Sequence, residues 1–104
     1  MKGRMGYLLL VLLLAVSIVG PVAAQEPAGE PVRIGVATEV TGKAAMSGDH
    51  AVKGANLAME EINAAGGVLG RPLELVIEDT QSTNPGAISA YNKLVQEDQV
   101  IAVI

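Results

Sequence analysis

Hydrophobic residues fall along the chain in runs whose period changes from one run to the next. "VRIGVAT", Val32 to Thr38, is rich in β-branched residues and bounded by turn formers, which predicts a strand. Its nearly continuous apolar character fits a parallel strand covered on both faces. From Asp49 onward the period lengthens. Val52, Ala55, Met59 and Ile62 recur at the spacing of one face of an amphipathic helix. Asp49 suits the positive end of that helix, and Gly66-Gly67 supplies its stop. Glu60 and Glu61 fall off the apolar face and read as solvated.

"LELVIED", Leu73 to Asp79, predicts a second strand. Pro72 stands just before it, where a missing N–H does least harm. "NPGAISAYNKLVQED" predicts a second helix with Asn84 as N-cap and Pro85 at the first helical position. Ile88, Tyr91 and Val95 form its apolar stripe, with Ala87 and Leu94 beside it. "VIAVI", Val100 to Ile104, predicts a third strand.

The order β-α-β-α-β, with helices between short apolar runs, defines an α/β fold built on a parallel sheet with right-handed crossovers. The third strand is wholly apolar up to Ile104, and a three-stranded sheet leaves edges uncovered. Residues 32–104 are therefore expected to be the N-terminal part of a larger lobe.

The first 24 residues follow a different logic. Lys2 and Arg4 precede an apolar run from about Leu8 to Val19, then Gly20-Pro21, with Val22 and Ala24 as small residues at positions −3 and −1 of a cleavage site. This is the pattern of a secretory signal peptide cut after Ala24. The rival is an uncleaved anchor, but the strongly apolar part is about 12 residues, short of the roughly 20 that span a bilayer. Gln25 to Pro31, "QEPAGEP", reads as an exposed leader into the first strand.

Composition narrows the range of partners. All eleven acids lie after Ala24, against five bases, so the 80-residue mature chain carries a net charge of −6. An acidic surface with no Lys/Arg cluster argues against nucleic acid or anionic lipid. The chain has no cysteine, so it forms no disulfide despite an oxidising destination. It also has no thiol for lipid attachment, which excludes a lipoprotein.

"TGKAAMSGD", Thr41 to Asp49, places a Gly-Lys pair between a strand and a helix and invites a phosphate-loop reading. That loop needs G-x-x-x-x-G-K-[ST], but Ala37 stands five residues before Gly42 and Ala44 follows Lys43. The dinucleotide pattern fails too, because Gly35, Gly42 and Gly48 are too far apart. Lys43 then reads as a solvated loop cation. What remains is a loop at the carboxyl end of a strand, where open α/β sheets bind ligands.

Other candidate chemistry is sparse. His50 is the single histidine and has neither a cysteine nor a second histidine to share a metal. Glu78 and Asp79 are adjacent acids without an identifiable facing partner, which a catalytic pair requires. Asp79 is expected to accept N–H bonds from the loop at Thr80 to Thr83. Ser47 and Ser82 lack a candidate base. No enzyme, cofactor or metal site is expected.

The mature chain also resembles a known family. The pattern T-G…A…G…G-A…L-A…I-N-A-x-G-G…G, a strand ending in Asp, then P…A…L and V-x-A-V-I is carried by Thr41, Gly42, Ala45, Gly48, Gly54, Leu57, Ala58, Ile62, Asn63, Gly66, Gly67, Gly70, Asp79, Pro85, Leu94 and Val100. It resembles the start of type I periplasmic binding proteins of the branched-chain amino acid (leucine-binding) group. "INAAGGVLGRPLELV" is its most specific part.

The resemblance implies a two-lobed protein that closes on a small solute, an amino acid or similar, and delivers it to an ABC transporter membrane permease. It also implies strand order 2-1-3 and a loop in which Met46 and Ser47 form a cleft wall near the solute's side chain. Larger residues are common in relatives where Ser47 stands. The family's main ligand-gripping groups lie after the third strand and in the second lobe, so residues 1–104 alone are not expected to bind amino acid usefully. A ligand-sensing ectodomain of a signalling receptor, which shares the fold, is the alternative.

Overall fold

The computed structural model describes residues 24–104, so the signal peptide assigned to residues 1–24 lies, but for Ala24, outside the described residues. The elements are β1 (Val32–Thr38), α1 (Ala45–Ala64), β2 (Leu73–Asp79), α2 (Asn84–Gln96) and β3 (Ala102–Val103). They form a three-stranded parallel sheet in the order β2-β1-β3. β1 and β2 have the predicted bounds. β3 is shorter than the predicted Val100–Ile104, because Val100 N–H still bonds the Leu94 carbonyl at the end of α2 (3.2 Å). Hydrogen bonds from Ile101 N–H to Arg33 O (3.0 Å) and from Ile104 N–H to Gly35 O (2.9 Å) continue the pairing on both sides.

The register runs from Val32↔Leu73 to Thr38↔Asp79, and paired residues of parallel strands share a face. One face therefore carries Val32, Ile34, Val36, Leu73, Leu75 and Ile77, and the other carries Arg33, Gly35, Ala37, Val76 and Glu78. The chain steps from β1 to β2 and then back across β1 to β3. Two right-handed crossovers in opposite directions put their helices on opposite faces. α2 covers the second face, since Leu94 packs on Gly35 and Lys93 pairs with Glu78.

α1 starts four residues earlier than its hydrophobic period suggests, at Ala45 rather than Asp49, with no acid in its first turn. Its N-terminus is preceded by Ala44, and no side chain of its own caps it. The Ala44 N–H donates to Ser82 Oγ (3.1 Å), so the β2–α2 loop anchors the residue that precedes the helix. At the other end, Gly66 (φ 107°) and Gly67 (φ 76°) close the helix as predicted. Gly67 N–H bonds the Ile62 carbonyl at 2.9 Å. Asn63 then fixes the helix to β2: its amide donates to Leu73 O (2.9 Å) and accepts from Leu73 N–H (2.7 Å).

The expectation for α2 is corrected in two respects. Thr83, not Asn84, is the N-cap: it is extended, and its hydroxyl accepts from Gly86 N–H (3.0 Å), a contact worth about 1 kcal/mol. Second, Ile88, Tyr91 and Val95 do not face the sheet; they are 64%, 54% and 42% exposed. The buried residues are Ala90 and Leu94. The physical reason is close approach. A Cβ at Gly35 would lie 2.9 Å from Leu94 Cδ1, so α2 sits down on the β1 backbone with small residues and one leucine, and its bulkier stripe stays outside.

The leader is tied down. Ala28 N–H bonds Gly70 O (2.9 Å), and Arg71 donates from Nε to Glu30 O (2.7 Å) and from Nη2 to Pro31 O (3.3 Å). These contacts lie at the amino end of the strands. No helix among the described residues is long and apolar enough to cross a membrane.

Candidate functional site

The carboxyl ends of β1 and β2 release two loops that interlock. Because Thr38 pairs with Asp79, the chain leaving β1 turns back beside the last residue of β2. Asp79 accepts from Thr41 Oγ1 (2.5 Å, to Oδ2), from Thr41 N–H (3.1 Å, to Oδ1) and from Gln81 N–H (2.7 Å, to Oδ1). Ser82 works in the opposite direction: its Oγ donates to Thr41 O (2.9 Å) while accepting from Ala44 N–H. Asp79 was expected to hold its own loop. It does so through Gln81, but its larger role is to hold the neighbouring one.

The interlock is tight enough to constrain the backbone. Gln81 and Ser82 both adopt left-handed conformations (φ 55° each), which cost non-glycine residues of order 1–3 kcal/mol and persist only where surroundings hold them. Gly42 (φ 92°) lies against them, and a Cβ there would meet Gln81 O at 2.6 Å and Ser82 Oγ at 2.7 Å. Only glycine fits this contact.

The hydrogen bonds from the Thr41 hydroxyl and then from Gln81 N–H hold the Asp79 carboxyl below its ordinary value. A depressed folded-state pKa adds stability that is present above the unfolded value and lost as pH falls through the folded one. The interlock is accordingly expected to loosen in acid, below about pH 4. In Thr41→Val, the Asp79 carboxyl should titrate closer to the ordinary aspartate value. NMR titration of that carboxyl carbon reads both effects, and an identical midpoint in the two proteins would show that Thr41 does not hold it.

Beside the interlock runs an open groove lined by residues including Ala37, Glu39, Lys43, Thr80, Ser82 and Tyr91. Lys43 is exposed. Met46 and Ser47, expected in a loop, lie in the first turn of α1, both exposed, Met46 at 77%. Their place on a helix fixed through Ala44 and Ser82 gives them a set direction at the carboxyl edge of the sheet.

Glu78 and Asp79 do not act together. Neighbours on a strand point to opposite faces, so Glu78 pairs with Lys93 on the α2 side, raising the Lys93 pKa, while Asp79 faces Thr41. Ser82 Oγ is occupied by backbone groups. His50 is exposed, and the neighbouring Asp49 pairs with Lys53 (2.6 Å). Among the described residues no group of three His, Cys, Asp or Glu could hold a metal ion. The carboxyl edge presents small and polar groups, among them Ala37, Thr80, Ser82 and Thr83.

Thr41, Asp79 and Ser82 are not singled out by sequence as a unit. The strand register, which brings Thr41 beside Asp79, is the signal that unites them.

A parallel sheet in the order 2-1-3 with interlocked loops at its carboxyl edge is an open α/β sheet, the class that binds ligands at that edge. The chain belongs to the periplasmic binding protein family, whose pattern matches residues 31–104. An amino acid binding protein of Pseudomonas aeruginosa is 42% identical over 71 residues, 68% of this chain and 19% of that protein. A leucine-, isoleucine-, valine-, threonine- and alanine-binding protein of the same organism is 38% identical over 85 residues, 82% of this chain and 23% of that one. Among solved structures, the branched-chain amino acid transporter substrate-binding protein of Streptococcus pneumoniae, in complex with isoleucine, superposes with a TM-score of 0.69 at 40% identity, over 71% of this chain and 21% of that one. The chain spans about a fifth of the length of the relatives it matches. The family binds solutes and is not a family of enzymes.

Proposed function

We propose that the protein is the extracytoplasmic solute-binding component of an ABC importer for branched-chain amino acids or related small solutes. The observation that carries this reading is the family match across residues 31–104 together with relatives named for binding leucine, isoleucine and valine. In this reading residues 1–24 are a signal peptide cut after Ala24, residues 25–31 a leader, and residues 32–104 the first part of the first lobe. Met46 and Ser47 form one wall of the solute cleft, held in place by the Asp79–Thr41–Ser82 interlock. Closure of two lobes around the solute presents it to the membrane permease, and the importer supplies the energy of transport.

The test is uptake of radiolabelled leucine, isoleucine and valine by cells with the coding gene disrupted. Uptake of at least one of them is expected to fall and to return with the wild-type gene. Ser47→Trp, which fills the cleft wall, should restore uptake poorly and should discriminate against the larger side chains. Unchanged uptake of all three in the disrupted strain would remove the branched-chain assignment.

A further inference from the structure

Cleavage after Ala24 would make Gln25 the first residue of the mature protein, and glutamine is the residue whose side chain can react with its own α-amine. The structure leaves that side chain exposed. Ala24 and Gln25 are exposed and outside any helix or strand. The first hydrogen bond from the leader to the body is that of Ala28 N–H to Gly70 O; ahead of it Pro27 lies against Gly67 and the Gln25 carbonyl near Gly66. Among the described residues no hydrogen bond holds the Gln25 carboxamide. Gln81, Gln96 and Gln99 are internal and have no free amine.

We propose that the mature N-terminus is pyroglutamyl, formed by cyclisation of Gln25; this rests on the signal-peptide reading. The un-ionised α-amine nitrogen attacks Cδ of its own side chain, the N–Cδ bond forms, the Cδ–Nε2 bond breaks, and the former amide nitrogen leaves as ammonia carrying the proton lost by the amine. The product is a five-membered lactam, and no oxidant, reductant or second substrate is needed. An α-amine titrates at about 7.7–8.0, so a useful fraction is neutral near physiological pH, and the intramolecular attack gains from proximity. Cyclisation removes the positive charge at the head of an acidic chain and the free amine that exopeptidases require.

The test is intact mass, tandem mass spectrometry of the N-terminal peptide and Edman degradation on protein recovered from the extracytoplasmic fraction. The expected result is a chain that begins at Gln25, is lighter by one ammonia with the loss located on Gln25, and is blocked to Edman degradation. Gln25→Ala should be cut at the same bond and read openly as Ala-Glu-Pro. A chain that begins at Gln25 with its carboxamide and amine intact, even after prolonged incubation at neutral pH, overturns the proposal and leaves the leader reading standing. An ammonia loss located on an asparagine instead, with Gln25 open, overturns it equally. A different first residue or a retained leader overturns both.

Discussion

Gly48→Ala is expected to destabilise the protein by about 3 kcal/mol or more, although alanine is the better helix former by roughly 1 kcal/mol. Gly48 is the buried residue of α1, at the point where the helix crosses the end of β1. A Cβ built there lies 1.9 Å from the Glu39 carbonyl oxygen and 2.5 Å from its carbon. Both are backbone atoms directly after the central strand, so no side-chain rotation relieves the clash. The first turn of α1 would have to lift away, taking Met46 and Ser47 with it and straining the Ala44–Ser82 contact. Gly54 is the internal control. It lies in the same helix with nothing within 4 Å of its Cβ position, and Gly54→Ala should stabilise by roughly 0.5–1 kcal/mol. Urea unfolding of the two variants should move the midpoint in opposite directions. A shift of the same sign in both would refute the close contact at Gly48.

Leu94→Ala should cost about 2–5 kcal/mol. Leu94 is fully buried, the largest such side chain among the described residues, and it packs directly on the Gly35 backbone of the central strand. Removing it leaves a void between α2 and β1 that a glycine opposite cannot fill. Tyr91→Ser, on the stripe that periodicity favoured, should cost well under half as much, because Tyr91 is more than half exposed. The same unfolding experiment ranks the two residues. A larger loss at Tyr91 than at Leu94 would restore the sequence-derived face of α2 and invalidate the packing described above.

Which features could be read from sequence follows from the range of the physics involved. β1 and β2 were legible to the residue because their β-branched and apolar runs end at turn formers. The stop of α1 was legible because Gly66 and Gly67 supply the left-handed conformations a helix terminus requires. Its start was not, because Ala44 carries no capping group and is anchored by Ser82, 38 residues along the chain. The face of α2 was misread for a related reason. Hydrophobic periodicity finds the most apolar stripe, whereas the buried stripe is set by how closely the helix approaches Gly35. The carboxyl edge of the sheet was legible from topology as the place for loops, but Met46 and Ser47 lie in the first turn of α1 rather than in a loop, and the contacts that fix that turn depend on register. Thr41 and Asp79 are distant in sequence and become neighbours only when β1 and β2 are aligned.

The tether of Ala28 and Arg71 to the leader and its neighbouring turn also has a practical use. Seven-residue parallel strands separate it from the carboxyl edge of the sheet by roughly 20 Å, with the interlocked loops at the far end. A dye, a biotin or a surface linkage attached ahead of Ala28 would therefore be anchored to the fold on the side opposite Met46 and Ser47. Immobilised in that orientation, the fold would present its interlocked loops outward, away from the support.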